Sequence, residues 1–376
     1  MYKKKDIYQY QNKYIKIAKK EYSKGHVEEA LDSLYHACAL EHLFNFRLKD
    51  EEIENLLQTI AKESFETIKY SEEECLLFYD SVAMTNSALS MQYLRVLNDL
   101  DCKIVYLVKT MSPDKQSKGL IDYANEQGFI VEVVSNDSRN IKGINFIRNI
   151  IQKYQPNNIF LHMSNDDVYG CIAFSNIESA TKFYINHGDE QFWVGTWLFD
   201  YILEFRGMGL DASIRHRGIS QEKCIVNPYY PIVKDVDFQG FDFEVPDGKT
   251  IIFSGGRFLK VYSESAKFMD VIREILITHA NAFFVFAGSG DEKPMLEYIH
   301  KYSLEDRWKV IGYRSDLLEV MKHVDIYLGT YPQSGALMSQ YAAAAGTPLV
   351  EMNTNNGGVT EDLLPRLKDW KITVDD

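Results

Sequence analysis

The hydrophobic pattern of the chain changes close to Cys75. Residues 1 to about 70 have a helical pattern with little Gly or Pro, whereas the residues after Cys75 alternate short apolar runs with amphipathic stretches. Short apolar runs predict buried strands, and amphipathic stretches predict the helices that cover them. Strands that alternate with helices form parallel sheets with helices on both faces. The sequence therefore predicts an α/β protein with an N-terminal α-helical segment.

Two such alternating series follow one another. The segment 227–248 separates them, because it contains three prolines and no helical period. We interpret 231–248 as a linker between two tandem doubly wound, Rossmann-like domains, 71–230 and 249–376. The predicted strands are 76–80, 103–108, 130–134, 159–162, 182–186, 201–204 and 223–226 in the first domain, and 251–254, 283–287, 309–311, 326–328 and 349–350 in the second. The predicted helices include 88–100, 144–154, 263–277, 294–301, 317–322 and 334–345.

The N-terminal segment 1–70 contains a small-residue pattern. Ala18, Gly25, Ala30 and Ala37 stand where two antiparallel helices need close contact and a turn, so 14–41 resembles one tetratricopeptide hairpin. A stable array of such hairpins takes about three copies. We therefore expect a tetratricopeptide-like helical cap packed on the next domain, rather than a repeat array.

Composition and charge narrow the classes of partner. The net charge of -13 argues against nucleic acid, because phosphate neutralisation needs a basic face. No apolar run approaches the ~18 residues of a membrane helix, and the N-terminus lacks the apolar core of a signal peptide, so we expect a cytoplasmic protein. The lysines at 3–5 could contact an anionic membrane surface, or could simply be a solvated end. Five scattered cysteines without CxxC spacing indicate packed, reduced thiols.

Glycine-rich loops follow four predicted strands of the second domain. Parallel strands bring such loops to one edge of the sheet, where glycines allow close approach of a ligand and basic side chains supply positive charge. The fourth loop also starts a helix, whose free N–H groups and dipole favour an anion. For any single loop, a tight strand-to-helix turn is the alternative interpretation. The candidate donor-binding residues are Gly255, Gly256, Arg257, Lys260, Gly288, Ser289, Gly312, Tyr313, Gln333, Ser334, Gly335 and Ala336.

Two stretches of this domain resemble a known family. DIYLGTYPQSGALMSQYAAAAGTPLVEM (325–352) resembles the donor-domain signature of the O-GlcNAc transferase family and its bacterial protein-glucosylating relatives. IIFSGGRFLK (251–260) is similar to that family's strand and loop, whose lysine holds the donor diphosphate; Lys260 is the matching position, with a gap of one residue. The resemblance implies the glycosyltransferase B architecture, with an active site in a cleft between the domains, a nucleotide-diphosphate sugar as donor substrate, no required cofactor and no metal.

The side chains depart from this family at the helix start. The family's His-Thr-Thr phosphate grip falls on 336–338, which are Ala, Leu and Met, and its ribose-binding aspartate falls on Tyr341. Retaining transferases with the same fold carry two glutamates where this chain has Gln333 and Tyr341. We therefore expect a phosphate grip made mostly by the main chain. Glu351 is the nearest spare carboxylate for the donor, with a cap for the 354–356 turn as its alternative role.

Candidate catalytic residues follow the predicted strand 182–186. A transfer to a hydroxyl needs a general base, and a histidine with an ordinary pKa near ~6.5 suits that task, so His187 is the first candidate. Asp189, or Glu190, would orient the imidazole or deprotonate the acceptor itself. The alternative is that this loop caps a helix that begins near Gln191.

Two further loops of the first domain are candidates for acceptor binding. They supply Asn86 and Ser87 after the first predicted strand and Asn165 after the fourth, and both loops could equally be helix caps.

The sequence thus predicts a metal-independent glycosyltransferase. It would move a hexose or N-acetylhexosamine from a nucleotide-diphosphate sugar, expected to be UDP-linked, to a hydroxyl of a protein or cell-surface glycan. One alternative is a nucleotide-sugar epimerase of the same fold, and another is a non-catalytic relative that binds a partner protein. The chain stops soon after Pro365 without the returning helices of related transferases, which indicates either a minimal closure or a fragment.

Overall fold

The computed structural model describes residues 4–71, 73–83, 88–110, 117–135, 138–228, 230–231, 236–262, 266–352 and 371–374. The chain forms two compact units, Met1–Tyr229 and Tyr230–Asp376. None of the helices in the described residues is long and apolar enough to cross a membrane. The lysine side chains at 3–5 lie outside the described part of the chain.

Three helices open the first unit: α1 (Lys4–Ser23), α2 (Val27–Phe44) and α3 (Glu51–Ser64). Gly25 has a φ of +81°, in the left-handed region that favours glycine, and so allows the short turn between α1 and α2. Asp50 caps α3, because its carboxylate accepts hydrogen bonds from the backbone N–H groups of Glu52 and Ile53. The predicted hairpin is therefore extended by a third helix, and its apolar face joins the core of the first unit.

A parallel sheet forms the centre of the first unit. Its order is β3-β2-β1-β4-β5-β6-β7, with every neighbouring pair parallel. The strands are β1 (Glu73–Asp80), β2 (Lys103–Thr110), β3 (Ile130–Ser135), β4 (Pro156–His162), β5 (Thr181–Asn186), β6 (Tyr201–Glu204) and β7 (Cys224–Val226). The helices after β1 are α4 (Ala88–Asn98), α5 (Lys118–Glu126), α6 (Ile141–Tyr154), α7 (Val168–Ala173) and α8 (Gly207–Arg215).

The second unit contains a second parallel sheet, in the order β10-β9-β8-β11-β12-β13. The strands are β8 (Thr250–Arg257), β9 (Ala282–Ser289), β10 (Trp308–Ile311), β11 (Ile326–Leu328), β12 (Leu349–Met352) and β13 (Lys371–Val374). The helices are α9 (Lys267–Thr278), α10 (Lys293–Lys301), α11 (Leu317–Lys322) and α12 (Ala336–Ala345). The predicted α/β class, with two parallel sheets and an N-terminal helical segment, is confirmed.

The described part of the predicted linker packs on the second unit. The Phe238 ring stacks on the His323 imidazole, with centroids 3.9 Å apart. The Arg314 guanidinium donates to the Gly240 carbonyl oxygen at 2.6 Å, and the Asp316 carboxylate accepts a hydrogen bond from the Gln239 N–H at 2.9 Å. Residues 236–248 are therefore held to the second unit by aromatic packing and charged hydrogen bonds.

One predicted helix does not form. Residues 191–200 contain turns and bends instead of the helix expected to begin near Gln191. Gly195 has a φ of +103°, which no helix accommodates, and its N–H donates to the Glu54 carboxylate of α3 at 3.0 Å. Phe192 and Trp193 are fully buried in the core of the unit. Burial and a distant acceptor thus decide the path of this loop.

Candidate functional site

Two loops meet at the carboxyl edge of the second sheet. A 3₁₀ turn, Phe258–Val261, follows β8, and a loop at 329–335 follows the neighbouring strand β11. Lys260 connects the two loops, because its ammonium Nζ donates to the Ser334 carbonyl oxygen at 3.3 Å and its own carbonyl oxygen accepts from the Gln333 N–H at 3.3 Å. The structure therefore brings Lys260 to the loop that precedes α12.

The first turn of α12 has no side-chain cap. Gly335 is the N-cap residue, and α12 begins at Ala336, two residues later than the sequence pattern predicts. The Thr330 hydroxyl fixes the loop by donating to the Gln333 carbonyl oxygen at 2.7 Å. The N–H groups of an uncapped first turn, together with the helix dipole, attract negative charge. With the Lys260 ammonium beside them, these groups are a candidate anion site of mainly backbone character.

The glycines of β8 and β9 have a packing role. Both strands extend further than predicted, so Gly255 and Gly256 pair with Ala287 and Gly288 inside the sheet. A Cβ atom on Gly288 would lie 2.5 Å from the Gly256 carbonyl oxygen, and one on Gly255 would lie 2.8 Å from the Ala287 carbonyl oxygen. Side chains at these positions would force the strands apart. The close approach that these glycines permit is thus between strands, while Arg257 and Ser289 are exposed at the strand ends.

The loop after β10 carries an exposed aromatic ring. Tyr313 is 68% exposed, and Gly312 beside it is also exposed. The next residue, Arg314, is held in place by a two-point ion pair with Asp316, at 2.8 and 2.6 Å. A large exposed aromatic side chain on a braced loop is suited to stack on a planar ligand.

Glu351 ties α12 to the sheet. Its residue is only 4% exposed, and its carboxylate accepts a hydrogen bond from the Ser339 hydroxyl of α12 at 3.2 Å. A Cβ atom on Gly329 would lie 2.9 Å from Glu351 Cγ, so the loop after β11 passes directly over this side chain. These contacts indicate a supporting role beneath the loop that precedes α12. The turn at 354–356, its other candidate contact, lies outside the described residues.

His187 follows β5 at the carboxyl edge of the first sheet. The residue keeps part of its surface exposed, but its Nδ1 atom is buried and has no hydrogen-bond partner among the described residues. The His187 ring meets the His162 ring edge to face, with centroids 4.8 Å apart. Burial, and then the neighbouring His162, lower the pKa of His187 from 6.5 to about 3. The imidazole is therefore neutral at physiological pH.

Asp189 pairs with an arginine instead of with His187. Both carboxylate oxygens accept from the buried Arg206 guanidinium, one of them at 2.7 Å. Arg217 supports the same loop by donating to the carbonyl oxygens of Asp189 and Gln191, each at 2.8 Å. A carboxylate in a buried two-point ion pair has its lone pairs engaged. These contacts correct the idea that Asp189 orients His187; Glu190 is exposed and lies 3.4 Å from the same guanidinium.

Sequence reasoning missed the residues behind His187. Asp80 ends β1 and His162 ends the neighbouring strand β4, and both side chains are buried. The Asp80 carboxylate Oδ1 lies 3.0 Å from His162 Nδ1. The sequence predicted both residues as the last positions of strands. Polar residues at the ends of two parallel strands were the signal that could have pointed to this pair.

The acceptor candidates differ in what the structure shows. Asn165 is 2% exposed; its side chain donates to the Gln191 side-chain oxygen at 3.0 Å, and its carbonyl oxygen accepts from the Val194 N–H at 3.1 Å. Asn165 therefore positions the 188–194 loop. Asn86 and Ser87 lie outside the described residues.

Comparisons with known proteins support this architecture. Residues 235–361 match the family described as glycosyl transferases group 1, and comparison with curated protein sequences gives no match. HepE from Anabaena, in complex with UDP and glucose, is 15% identical, with 77% of this chain and 83% of that chain covered and a TM-score of 0.54. An O-GlcNAc transferase of Thermobaculum terrenum is 14% identical, with 96% and 73% covered and a TM-score of 0.55. The chain has the glycosyltransferase B fold.

One of the structural neighbours has a description other than that of a transferase. A Listeria monocytogenes protein described as a UDP-N-acetylglucosamine 2-epimerase is 10% identical, with 75% of this chain and 79% of that chain covered and a TM-score of 0.51. The group 1 glycosyltransferase match lies within the second unit and contains Lys260, Tyr313 and the start of α12.

The Asp167 carboxylate, in the loop after β4, is occupied by structural contacts. Asp167 caps α7 and accepts from the Lys109 ammonium at 2.8 Å and from the Tyr79 hydroxyl at 2.7 Å. Burial would raise the pKa of Asp167, but the charge of Lys109 and these hydrogen bonds hold it below its ordinary value. Within the described ranges, no three His, Cys, Asp or Glu side chains cluster as a group that could hold a metal ion.

Proposed function

We propose that the protein is a glycosyltransferase that moves a hexose or N-acetylhexosamine from a UDP-linked donor to a hydroxyl of a protein or glycan acceptor. The observation that carries this proposal is the junction of Lys260 with the uncapped start of α12. In an acidic chain with a net charge of -13, this junction provides local positive charge and free amides for a diphosphate. The match with group 1 glycosyltransferases covers the same region.

The donor diphosphate is placed against the first turn of α12. The Lys260 ammonium and the N–H groups near Ser334 and Gly335 would stabilise the charge that develops on the diphosphate as the sugar leaves. Arg257, exposed at the end of β8, would supply further positive charge. The His-Thr-Thr of the O-GlcNAc transferase family is replaced by Ala, Leu and Met at 336–338. Main-chain groups would therefore carry most of this stabilisation.

In this proposal the nucleobase stacks on the Tyr313 ring. Strand β9 separates β10 from β8, so the loops that carry Tyr313 and Lys260 start about 10 Å apart at ordinary strand spacing. That separation suits a ligand with a planar base at one end and phosphates at the other. Stacking of a base on an aromatic ring contributes about 1–3 kcal/mol and is tolerant of base identity.

His187 is placed at the acceptor hydroxyl. In a direct displacement the acceptor oxygen forms a bond to the anomeric carbon, the bond from that carbon to the diphosphate breaks, and the acceptor proton moves to the neutral imidazole. A base with a pKa of about 3 is weak. It can still accept a proton from an oxygen that becomes acidic as its bond to the sugar forms.

Nucleotide binding provides the first test. A thermal-shift panel with UDP, GDP, CDP and ADP should show stabilisation by UDP, because a ligand that binds only the folded state raises its stability. Mass spectrometry with UDP-hexoses, UDP-N-acetylhexosamines and candidate acceptors should then detect a glycosylated product. No response to any nucleotide would refute the proposal and favour a non-catalytic, partner-binding protein.

A matched pair of lysine variants tests the site. Lys260→Met should reduce turnover by about 10²-fold or more, because one preorganised charge at the leaving group is removed. Lys293→Met is the control, since Lys293 is an exposed lysine of α10, 3.7 Å from Glu297. Equal turnover in the two variants would show that Lys260 does not act on the donor diphosphate.

A second candidate function is epimerisation of the nucleotide sugar. The epimerase among the structural neighbours favours this candidate. Incubation with donor and no acceptor distinguishes the two, because an epimerase converts the nucleotide sugar under these conditions, whereas a transferase leaves its sugar configuration unchanged.

A further inference from the structure

A chain of buried polar side chains leads from β1 to His187. Asp80 and His162 are 0% and 1% exposed, and they pair across the ends of the neighbouring strands β1 and β4. His187 follows β5, which is the next strand in the sheet. The His162 ring lies edge to face with the His187 ring at a centroid distance of 4.8 Å. Polar side chains at the ends of three neighbouring strands, β1, β4 and β5, therefore lie side by side at the carboxyl edge of the sheet.

The surroundings of Asp80 fix it as an ionised acceptor. Its Oδ1 atom accepts from the backbone N–H groups of Val82 and Ala83 at 3.1 and 2.9 Å, and its Oδ2 atom accepts from the Tyr106 hydroxyl at 3.1 Å. Burial alone would raise the pKa of Asp80, but its pairing with His162 and the hydrogen bonds of the neighbouring hydroxyls hold it below the ordinary value.

An ionised Asp80 determines where the proton of His162 lies. The carboxylate can only accept, so the His162 Nδ1 atom, 3.0 Å from Oδ1, must be the N–H donor. With that single proton on the ring, Nε2 carries the lone pair. Nε2 of His162 is buried and has no hydrogen-bond partner among the residues that the structure describes. The ring therefore presents an unused acceptor inside the protein.

The adjoining His187 ring also contains a buried nitrogen. Its Nδ1 atom is also buried without a hydrogen-bond partner in the described part of the chain. A buried acceptor on one ring favours a donor on the next, with one water molecule between them. A proton on His187 Nδ1 leaves the lone pair on Nε2. Because the residue is only partly buried while Nδ1 is fully covered, its exposed surface lies away from Nδ1.

We propose that Asp80 sets the tautomer of His187 through His162, and so makes Nε2 of His187 the acceptor that meets a substrate hydroxyl. Asp80 and His162 are then positioning residues, because neither of them touches substrate. The inference rests on the proposed function for its consequence in transfer, but the tautomer itself can be measured without any substrate. The ligand class is a hydroxyl group of the acceptor.

The test reads the imidazole nitrogens directly. Protein labelled with ¹⁵N in histidine is studied near pH 7.5 by long-range ¹H–¹⁵N correlation, with His162→Gln and His187→Gln used to assign the two rings. The wild type should show the proton on Nδ1 in both rings. Asp80→Asn should change the His162 tautomer and also shift the His187 population away from Nδ1–H, although Asp80 has no hydrogen bond to His187. His162→Phe keeps a ring beside Phe78. This variant should also shift the His187 population away from the Nδ1–H tautomer.

Tyr106→Phe is the matched control. It removes a different hydrogen bond to Asp80, at 3.1 Å, and leaves the contact with His162 in place. Both tautomers should be unchanged in this variant. A wild-type His187 with its proton on Nε2, or a His187 tautomer that stays the same when His162 changes, would overturn the inference. If Asp80→Asn does not fold, His162→Phe decides alone.

Transfer kinetics separate this inference from the proposed function. Asp80→Asn should lower kcat by about tenfold or more with little change in the KM for donor, because the donor contacts lie in the second unit. Tyr106→Phe should retain nearly the wild-type rate. A protein that transfers no sugar in any form refutes the proposed function, whereas the tautomer measurement still decides whether Asp80 and His162 control His187.

Discussion

Glu54 should make the stability of the first unit depend on pH. This side chain of α3 is 3% exposed, and its carboxylate accepts from the Gly195 N–H at 3.0 and 3.2 Å and from the Thr196 N–H at 3.2 Å. Burial raises the pKa of Glu54 from 4.5 to about 7, against the opposing effect of these hydrogen bonds. Between pH 4.5 and about 7, Glu54 is therefore protonated in the folded state and ionised in the unfolded state.

The sign and the magnitude follow from proton linkage. A group whose pKa is raised on folding contributes stability that is fully present below its unfolded value of 4.5 and is lost as the pH rises to about 7. A span of about 2.5 pH units corresponds to about 3 kcal/mol in the free energy of unfolding. Glu54→Gln mimics the protonated acid and cannot titrate. It should match the wild type near pH 5 and exceed its stability by up to about 3 kcal/mol near pH 8.

The assay is urea unfolding between pH 5 and 8, with pulse labelling by hydrogen–deuterium exchange so that peptides of the two units are followed separately. Glu52→Gln is the control, because Glu52 lies on the same helix in an exposed pair with Lys19 and should show little difference from the wild type. Parallel stability curves for the wild type and Glu54→Gln would refute the reasoning, since they would mean that Glu54 has the same pKa in the folded and unfolded states.

Three further outcomes are expected. Lys109→Met should destabilise the first unit by about 3–5 kcal/mol in urea at pH 7, because it leaves Asp167 buried without its ion-pair partner, whereas the exposed Lys103→Met should have little effect. Tyr313→Ala should weaken UDP binding about tenfold in calorimetry, whereas Tyr313→Phe should preserve it; equal loss in both would exclude stacking. The pH profile of kcat/KM should show no limb from His187 between pH 5 and 8, because its pKa is about 3. A limb near 6.5 that disappears in His187→Gln would contradict this assignment.

The regular elements were largely predictable from the sequence, because each is encoded by its own local pattern. The strand at 201–204 and the helix at 317–322 have the predicted bounds. The ends of β8 and β9 were not predicted, because paired glycines resemble a loop until the neighbouring strand is known. Their role emerges only from the register that places Gly256 opposite Gly288.

Contacts between distant residues limited what the sequence could show of the candidate sites. The helix expected near Gln191 is replaced by an irregular loop, whose Gly195 amide is held by a carboxylate 141 residues earlier in the chain. In the same way, Asp189 has a conventional helix-start position in sequence but pairs with Arg206 in space. The environment of Lys260 was better predicted, since the strand order of a parallel sheet brings the loop after β8 beside the loop after β11.

The N-terminal helices contribute hydrogen bonds that the sheet domain does not provide for itself. Asn45 accepts from the Phe192 N–H at 2.8 Å and donates to the Glu190 carbonyl oxygen at 3.0 Å, and Glu54 receives the amides of Gly195 and Thr196. A shortened protein that starts at β1 would leave these main-chain groups without their present partners, beside the residue proposed to meet the acceptor. Attempts to express the sheet domain alone, or to exchange it with that of a relative, should therefore carry residues 4–64 with it.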